Sequence, residues 1–376
     1  MDVDAGGRPL PESIMVDGLS EPVAAGHKLL GVQYLRGVAA LMVVYFHLLG
    51  QIPAYTHFLD FHTILDSRSL GTGVHIFFVI SGFIMMATTQ RILPRDFVTR
   101  RLIRIIPLYW LLTAALIGLY NLHYFQHTRV TPQLILKSLL FIPYLSSSGR
   151  VEPLLIPGWT LNVEMFFYAT FAVALWVSRA QRLLITTFCF IALVFAGLAL
   201  SDPADSPILW LITRAWMLDF CTGMLIGHVY LQKSLNLPTW LCGVLVFGGF
   251  GLLLSTWLES DESALSVLPA TFILLGVVAY EVREGIALRR IPLLLGEASY
   301  SIYLSHTFVL GFVSVIWKRA GLMTADGLHA ATFAIVSFTA AIGCSLLVYW
   351  WVEMPLLQGL SRRQEVTRIR HPAADS

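Results

Sequence analysis

The 376-residue chain is 56% hydrophobic and 13% charged, with a mean hydropathy of +0.72. A soluble domain carries about 25% charged residues, so a composition that has shed about half of that charge excludes an ordinary soluble globular protein and reads as a polytopic membrane protein. The formal net charge of +2 says little by itself; its distribution along the chain is the informative quantity.

The first 28 residues are polar, acidic and glycine-dotted, with no signal peptide, and are expected to form a disordered cytoplasmic tail. From residue 29 to 356 the chain reads as one all-α transmembrane domain. About twenty apolar residues span a bilayer, and ten windows qualify: 30–49, 73–90, 104–121, 160–178, 183–200, 208–231, 239–257, 264–281, 298–317 and 330–352. The stretch 132–145 is short and carries Pro132 and Pro143, which suits a re-entrant or interfacial segment. Residues 357–376 read as a basic cytoplasmic tail. An even number of spans puts both termini on one side. With that side cytoplasmic, inner segments hold 17 of the 25 Lys and Arg, outer loops hold six, and Arg36 and Arg214 lie within spans. That bias orients the bundle. The four cysteines, Cys189, Cys221, Cys242 and Cys344, stand singly in apolar runs and read as small apolar filler.

Ionisable residues inside these runs are costly and therefore informative. Arg36 and His47 share the first span; the eleven residues between them bring both to the same side within about 20°, about 16 Å apart along the axis. Two such groups on one face need a wet or charged partner. His75 opens the second span near the outer surface, where it either lines a site or is simply solvated. Thr160, Glu164 and Tyr168 follow at i, i+4 and i+8 and share a face of the fourth span. Ser299, Tyr303 and His306 fall within about 60° on the ninth, His306 either supporting substrate or bonding a neighbouring helix. Arg214 and Asp219 lie about 140° apart on the sixth and are not expected to pair. An imidazole near a carboxylate is the composition of a general base and its orienting partner, which nominates His47 or His75 with Glu164. The basic stretch Arg91 to Arg104, read as a cytoplasmic loop, is either a topology determinant alone or a phosphate clamp. The pairs His57/His62 and His123/His127 lack a carboxylate or cysteine framework, so no metal is expected.

Val32-Gln33-Tyr34-Leu35-Arg36-Gly37-Val38-Ala39-Ala40, running on to His47, resembles the opening signature of the acyltransferase-3 family of integral membrane acyltransferases. Gly73-Val74-His75-Ile76-Phe77-Phe78-Val79-Ile80-Ser81-Gly82-Phe83 is similar to its second-span motif, although many relatives carry an acidic residue where His75 stands. Arg101-Leu102-Ile103-Arg104 resembles the family's R-x-x-R element, and Trp159 to Tyr168 its W-S-L-x-x-E-x-x-F-Y, with Thr160 for the usual serine. Leu295 to His306 and Val352-Glu353-Met354-Pro355 are similar to two further motifs, all in family order. The flavour is that of bacterial exopolysaccharide O-acetyltransferases.

The resemblance implies transfer of an acyl group, usually acetyl from acetyl-CoA, to a hydroxyl of a cell-surface or exopolysaccharide carbohydrate at the bacterial inner membrane. It implies roles for Arg36, His47, Arg101 and Arg104. Joined to the residue-level reading, His47, Glu164 and Arg36 are the expected catalytic set, with His47 either a base or an acyl carrier. Arg101, Arg104 and Arg100 are expected to hold the phosphates of acetyl-CoA, with His75, Tyr168, Tyr303 and His306 supporting the substrate. Expected partners are a carbohydrate or lipid-linked oligosaccharide and membrane lipid, without nucleic acid. The rival reading is a multi-span transporter or flippase of a glycolipid or small solute, which embedded ionisable groups also suit.

Overall fold

A computed structural model of the protein describes residues 29–51, 73–121, 130–198, 204–254, 264–322 and 327–370. The expected N-terminal tail and the pairs His57/His62 and His123/His127 lie outside the described residues. Among the described residues all regular structure is helical apart from one isolated bridge between Leu145 and Val151.

Each of the ten apolar windows carries helix among its described residues. The helices are α1 (Leu30–Leu49), α2 (Gly73–Thr88), α3 (Pro94–Asn121), a short α4 (Pro132–Leu139), α5 (Trp159–Val177), α6 (Arg182–Gly197), α7 (Pro207–Ile212), α8 (Met217–Leu231), α9 (Thr239–Leu254), α10 (Val267–Glu284), α11 (Arg290–Glu297), α12 (Ser299–Arg319), α13 (Gly327–Val348) and α14 (Met354–Arg370). Among the described residues six helical stretches are long and apolar enough to cross a membrane: Leu30–Leu49, Pro94–Tyr120, Ile156–Val177, Pro207–Leu231, Ser299–Arg319 and Gly327–Arg362. The apolar helices at Gly73–Thr88, Arg182–Gly197 and Thr239–Leu253 are shorter. The protein is thus a multi-pass membrane protein.

Three local readings change. The basic stretch before residue 104 is mostly helix: α3 starts at Pro94, with proline at the first turn and Asp96 beside the helix's positive end. Arg101 and Arg104 therefore lie three apart on one helical face. The window 208–231 is broken at Thr213–Trp216, between α7 and α8. The closing window ends in a π-helical turn at Tyr349–Glu353, just before Pro355, whose missing N–H prevents a regular bond back to Trp351. The proline-flanked stretch 132–145 gives the short helix α4, capped by the Thr131 hydroxyl, which accepts from Leu134 N at 3.3 Å. It is tied to α3 by Tyr109 OH and Trp110 Nε1, which donate to Ser138 O (3.1 Å) and Leu139 O (2.9 Å).

Helices in lipid gain from close backbone approach at small residues. α2 and α8 form the most extensive pairing, and a Cβ on Gly82 or Gly223 would stand 2.1 Å from Phe220 O or 1.9 Å from Val79 O. The N-terminus of α1 is fixed across the bundle: Leu30 N and Gly31 N donate to the two carboxylate oxygens of Glu281 on α10 at 2.6 and 2.9 Å. A carboxylate there satisfies open amides and complements the helix dipole. Three apolar clusters fill the bundle, and Phe77 packs against all of them.

Candidate functional site

One cavity, enclosing about 810 Å³ of empty space including its open mouth, gathers side chains from five helices. α1 contributes Arg36, α2 Phe77 and Ser81, α3 Arg101 and Arg104, α5 Thr160, Glu164 and Tyr168, and α12 Ser299 and Tyr303. Of the ten expected site residues, Arg36, Arg101, Arg104, Glu164, Tyr168 and Tyr303 are brought together here. Arg100, His47, His75 and His306 are not in the lining.

The cavity is rich in cationic donors. Arg36 donates to Gln33 Oε1 at 3.4 Å and lies within electrostatic reach of Arg104, Glu353 and Glu164. Arg101 packs its guanidinium 6.0 Å from the Phe97 ring centre, and its Nε is buried with no hydrogen-bond partner among the described residues. An unsatisfied buried guanidinium N–H at a cavity wall is suited to an incoming anion. Arg104 is differently placed. It reaches Glu353 Oε1 at 2.5 Å and stacks 5.5 Å from the Tyr300 ring centre. Glu353, almost fully buried, accepts on its other oxygen from Ser301 Oγ at 2.5 Å. In the sequence Glu353 stands out only as part of a motif; an ionisable residue directly at the end of the closing apolar run was the available signal.

Glu164 is held by hydroxyls. Ser81 Oγ donates to its Oε1 at 2.8 Å, Tyr168 OH donates to the same oxygen, and the two hydroxyls lie 3.4 Å apart. Among the described residues Glu164 thus meets hydroxyls and not the expected imidazole. Ser81 comes from α2 and Tyr168 from the next turn of α5, so this carboxylate finds neutral donors before a histidine can reach it. On the same helix Thr160 Oγ1 lies 2.8 Å from Tyr303 OH, and Pro157 O lies within reach of both hydroxyls, at 3.1 and 3.0 Å, so that one donates to the carbonyl while the other is shared between the two.

His47 instead faces His306. His47 Nδ1 lies 3.2 Å from His306 Nε2 and 2.9 Å from Val43 O, while His306 Nδ1 lies 3.0 Å from Ile302 O. Tyr303 connects this pair with the cavity: it lines the cavity, and its ring centre is 6.3 Å from that of His306. His75 departs furthest from its expected place. Rather than meeting the outer solvent, it is buried with Nδ1 2.5 Å from Asp219 Oδ2, across the α2–α8 contact. The close glycine crossing draws these helices together and makes the pair possible. Among the described residues no group of three or more His, Cys, Asp or Glu is placed to hold a metal.

This geometry meets relatives of known type. The chain is 38% identical over 299 residues to the "Exopolysaccharide production protein ExoZ" of Rhizobium meliloti (strain 1021), covering 77% of this chain and 91% of that protein. It is 24% identical over 385 residues to the "Acyltransferase MdmB" of Streptomyces mycarofaciens, covering 91% and 95% respectively. No solved structure gives a significant match. The family model of the Acyltransferase domain matches residues 29–350, nearly the whole membrane bundle. The chain belongs to the acyltransferase-3 family and is a membrane acyltransferase.

Proposed function

We propose that the protein is an O-acetyltransferase that moves acetyl from acetyl-CoA to a hydroxyl of an exopolysaccharide or its lipid-linked precursor. The observation that carries the donor assignment is the cavity lined by Arg36, Arg101 and Arg104, with Arg101 Nε unsatisfied. The relative of 38% identity whose name refers to exopolysaccharide production supports the acceptor class. In this reading the chain makes ten crossings of the bacterial inner membrane with both termini in the cytoplasm, so Arg101 and Arg104 sit at the cytoplasmic end and His47 near the outer end.

Arg101 and Arg104 bind the donor's phosphates, and Arg36 draws its acyl end along the cavity. Tyr303 swings away from Thr160 to admit the thioester to His47, since the two histidines lie just beyond it. His47 Nε2 takes the acceptor's hydroxyl proton as that oxygen bonds the acyl carbon. The carbon–sulfur bond breaks, and the imidazolium returns its proton to the departing thiolate. The Glu164–Ser81–Tyr168 cluster offers fixed dipoles and one negative charge that balances the arginines.

Purified protein in nanodiscs should transfer radiolabel from acetyl-CoA to a polysaccharide acceptor. A positioned base contributes about 10²–10⁴-fold, so His47→Ala should lose at least about a hundredfold of turnover while inserting normally. A protein that ignored acetyl-CoA, or retained full activity after His47→Ala, would defeat the reading; the first result is what a transporter would give.

A further inference from the structure

We propose that His306 positions His47 and fixes its tautomer, taking the part that a carboxylate plays for an imidazole base elsewhere. The inference rests on the reading of His47 as the base and adds a residue to it. Its grounds are five atoms where α1 meets α12.

A backbone carbonyl only accepts. His306 Nδ1, 3.0 Å from Ile302 O, therefore carries its proton, and in the neutral ring Nε2 is left with a lone pair. That lone pair is 3.2 Å from His47 Nδ1. His47 Nδ1 is also 2.9 Å from Val43 O, a second acceptor. Both neighbours demand a hydrogen on His47 Nδ1. The opposite assignment would set bare nitrogens against both carbonyls. His47 Nε2 is thus the unprotonated nitrogen, the one a base must present.

The arrangement matters most when the proton arrives. Once His47 Nε2 is protonated, Nδ1–H becomes a cationic donor, and its bond to His306 Nε2 strengthens. A contact that strengthens in the transition state lowers the barrier rather than only binding substrate. His306 is fully buried and Glu164 is engaged with hydroxyls, so no carboxylate competes for this position among the described contacts.

The test uses the full-length protein in nanodiscs, labelled with 15N-histidine, the His47 signals being identified by their loss in His47→Asn. The expected spectrum shows Nδ1 protonated and Nε2 bare, with the Nδ1 signal shifting in His306→Ala. In kinetics, His306→Ala should lower kcat about 10–100-fold with the donor KM unchanged. His306→Gln, whose amide oxygen falls where Nε2 stood, should recover most of that loss. His47 found with Nε2 protonated would overturn the proposal. So would wild-type kcat in both His306 variants alongside an inactive His47→Ala. An active His47→Ala would instead refute the base assignment itself.

Discussion

The donor wall of the cavity is governed by one carboxylate. Glu353 neutralises the repulsion between Arg104 and Arg36 and holds Arg104 from behind, with Ser301 fixing its second oxygen. Glu353→Gln keeps the shape and removes the charge. It should raise the KM for acetyl-CoA about tenfold with a smaller change in kcat, since hydrogen bonds to charged groups contribute about 1.5–3 kcal/mol; steady-state kinetics would measure this. His75 and Asp219 form a second buried pair, away from the cavity. Removing one partner of such a pair costs about 3–5 kcal/mol. His75→Ala should therefore lower the thermal midpoint in detergent markedly, and the double variant with Asp219→Ala should fall well short of the sum of the two single losses. Additive losses would show that the two side chains are not coupled. The sequence marked most of these residues, because an ionisable group in an apolar run announces itself. It did not reveal their partners. Arg104 meets Glu353 across 249 residues, His47 meets His306 across 259, and His75 meets Asp219 across 144. Only packing decides such pairings, and hydropathy is blind to it.

At the scale of helices, hydropathy located each of the ten apolar windows on helix but misjudged where some begin and break. α3 starts at Pro94 rather than near residue 104, because arginines lower local hydropathy without lowering helix propensity. The interruption between α7 and α8 was hidden for the opposite reason: the residues around Thr213 and Arg214 are flanked by strongly apolar sequence, so the average stays high. The α2–α8 crossing depends on absent side chains. Gly223→Ala would place a methyl group 1.9 Å from a backbone oxygen, forcing the helices apart. Little folded protein should be recovered from membranes, as size-exclusion profiles would show, whereas Gly243→Ala, with open space around it, should behave as wild type.

For the whole molecule, the charge asymmetry of the loops argues for both ends in the cytoplasm. A fluorescent protein fused after Ser376 should light up, and a periplasmic phosphatase fused there should stay silent; the reverse would invert the bundle and move Arg101 and Arg104 to the outer face. The clasp of Glu281 on Leu30 and Gly31 carries a further consequence for biogenesis. The amides at the head of the first helix emerge from the ribosome some 250 residues before the side chain that satisfies them. Until then those donors must borrow water or lipid headgroups at the membrane surface. The head of α1, made long before its partner, is thus among the last parts to be locked, and a nascent chain halted before α10 would leave it a ready substrate for quality-control proteases.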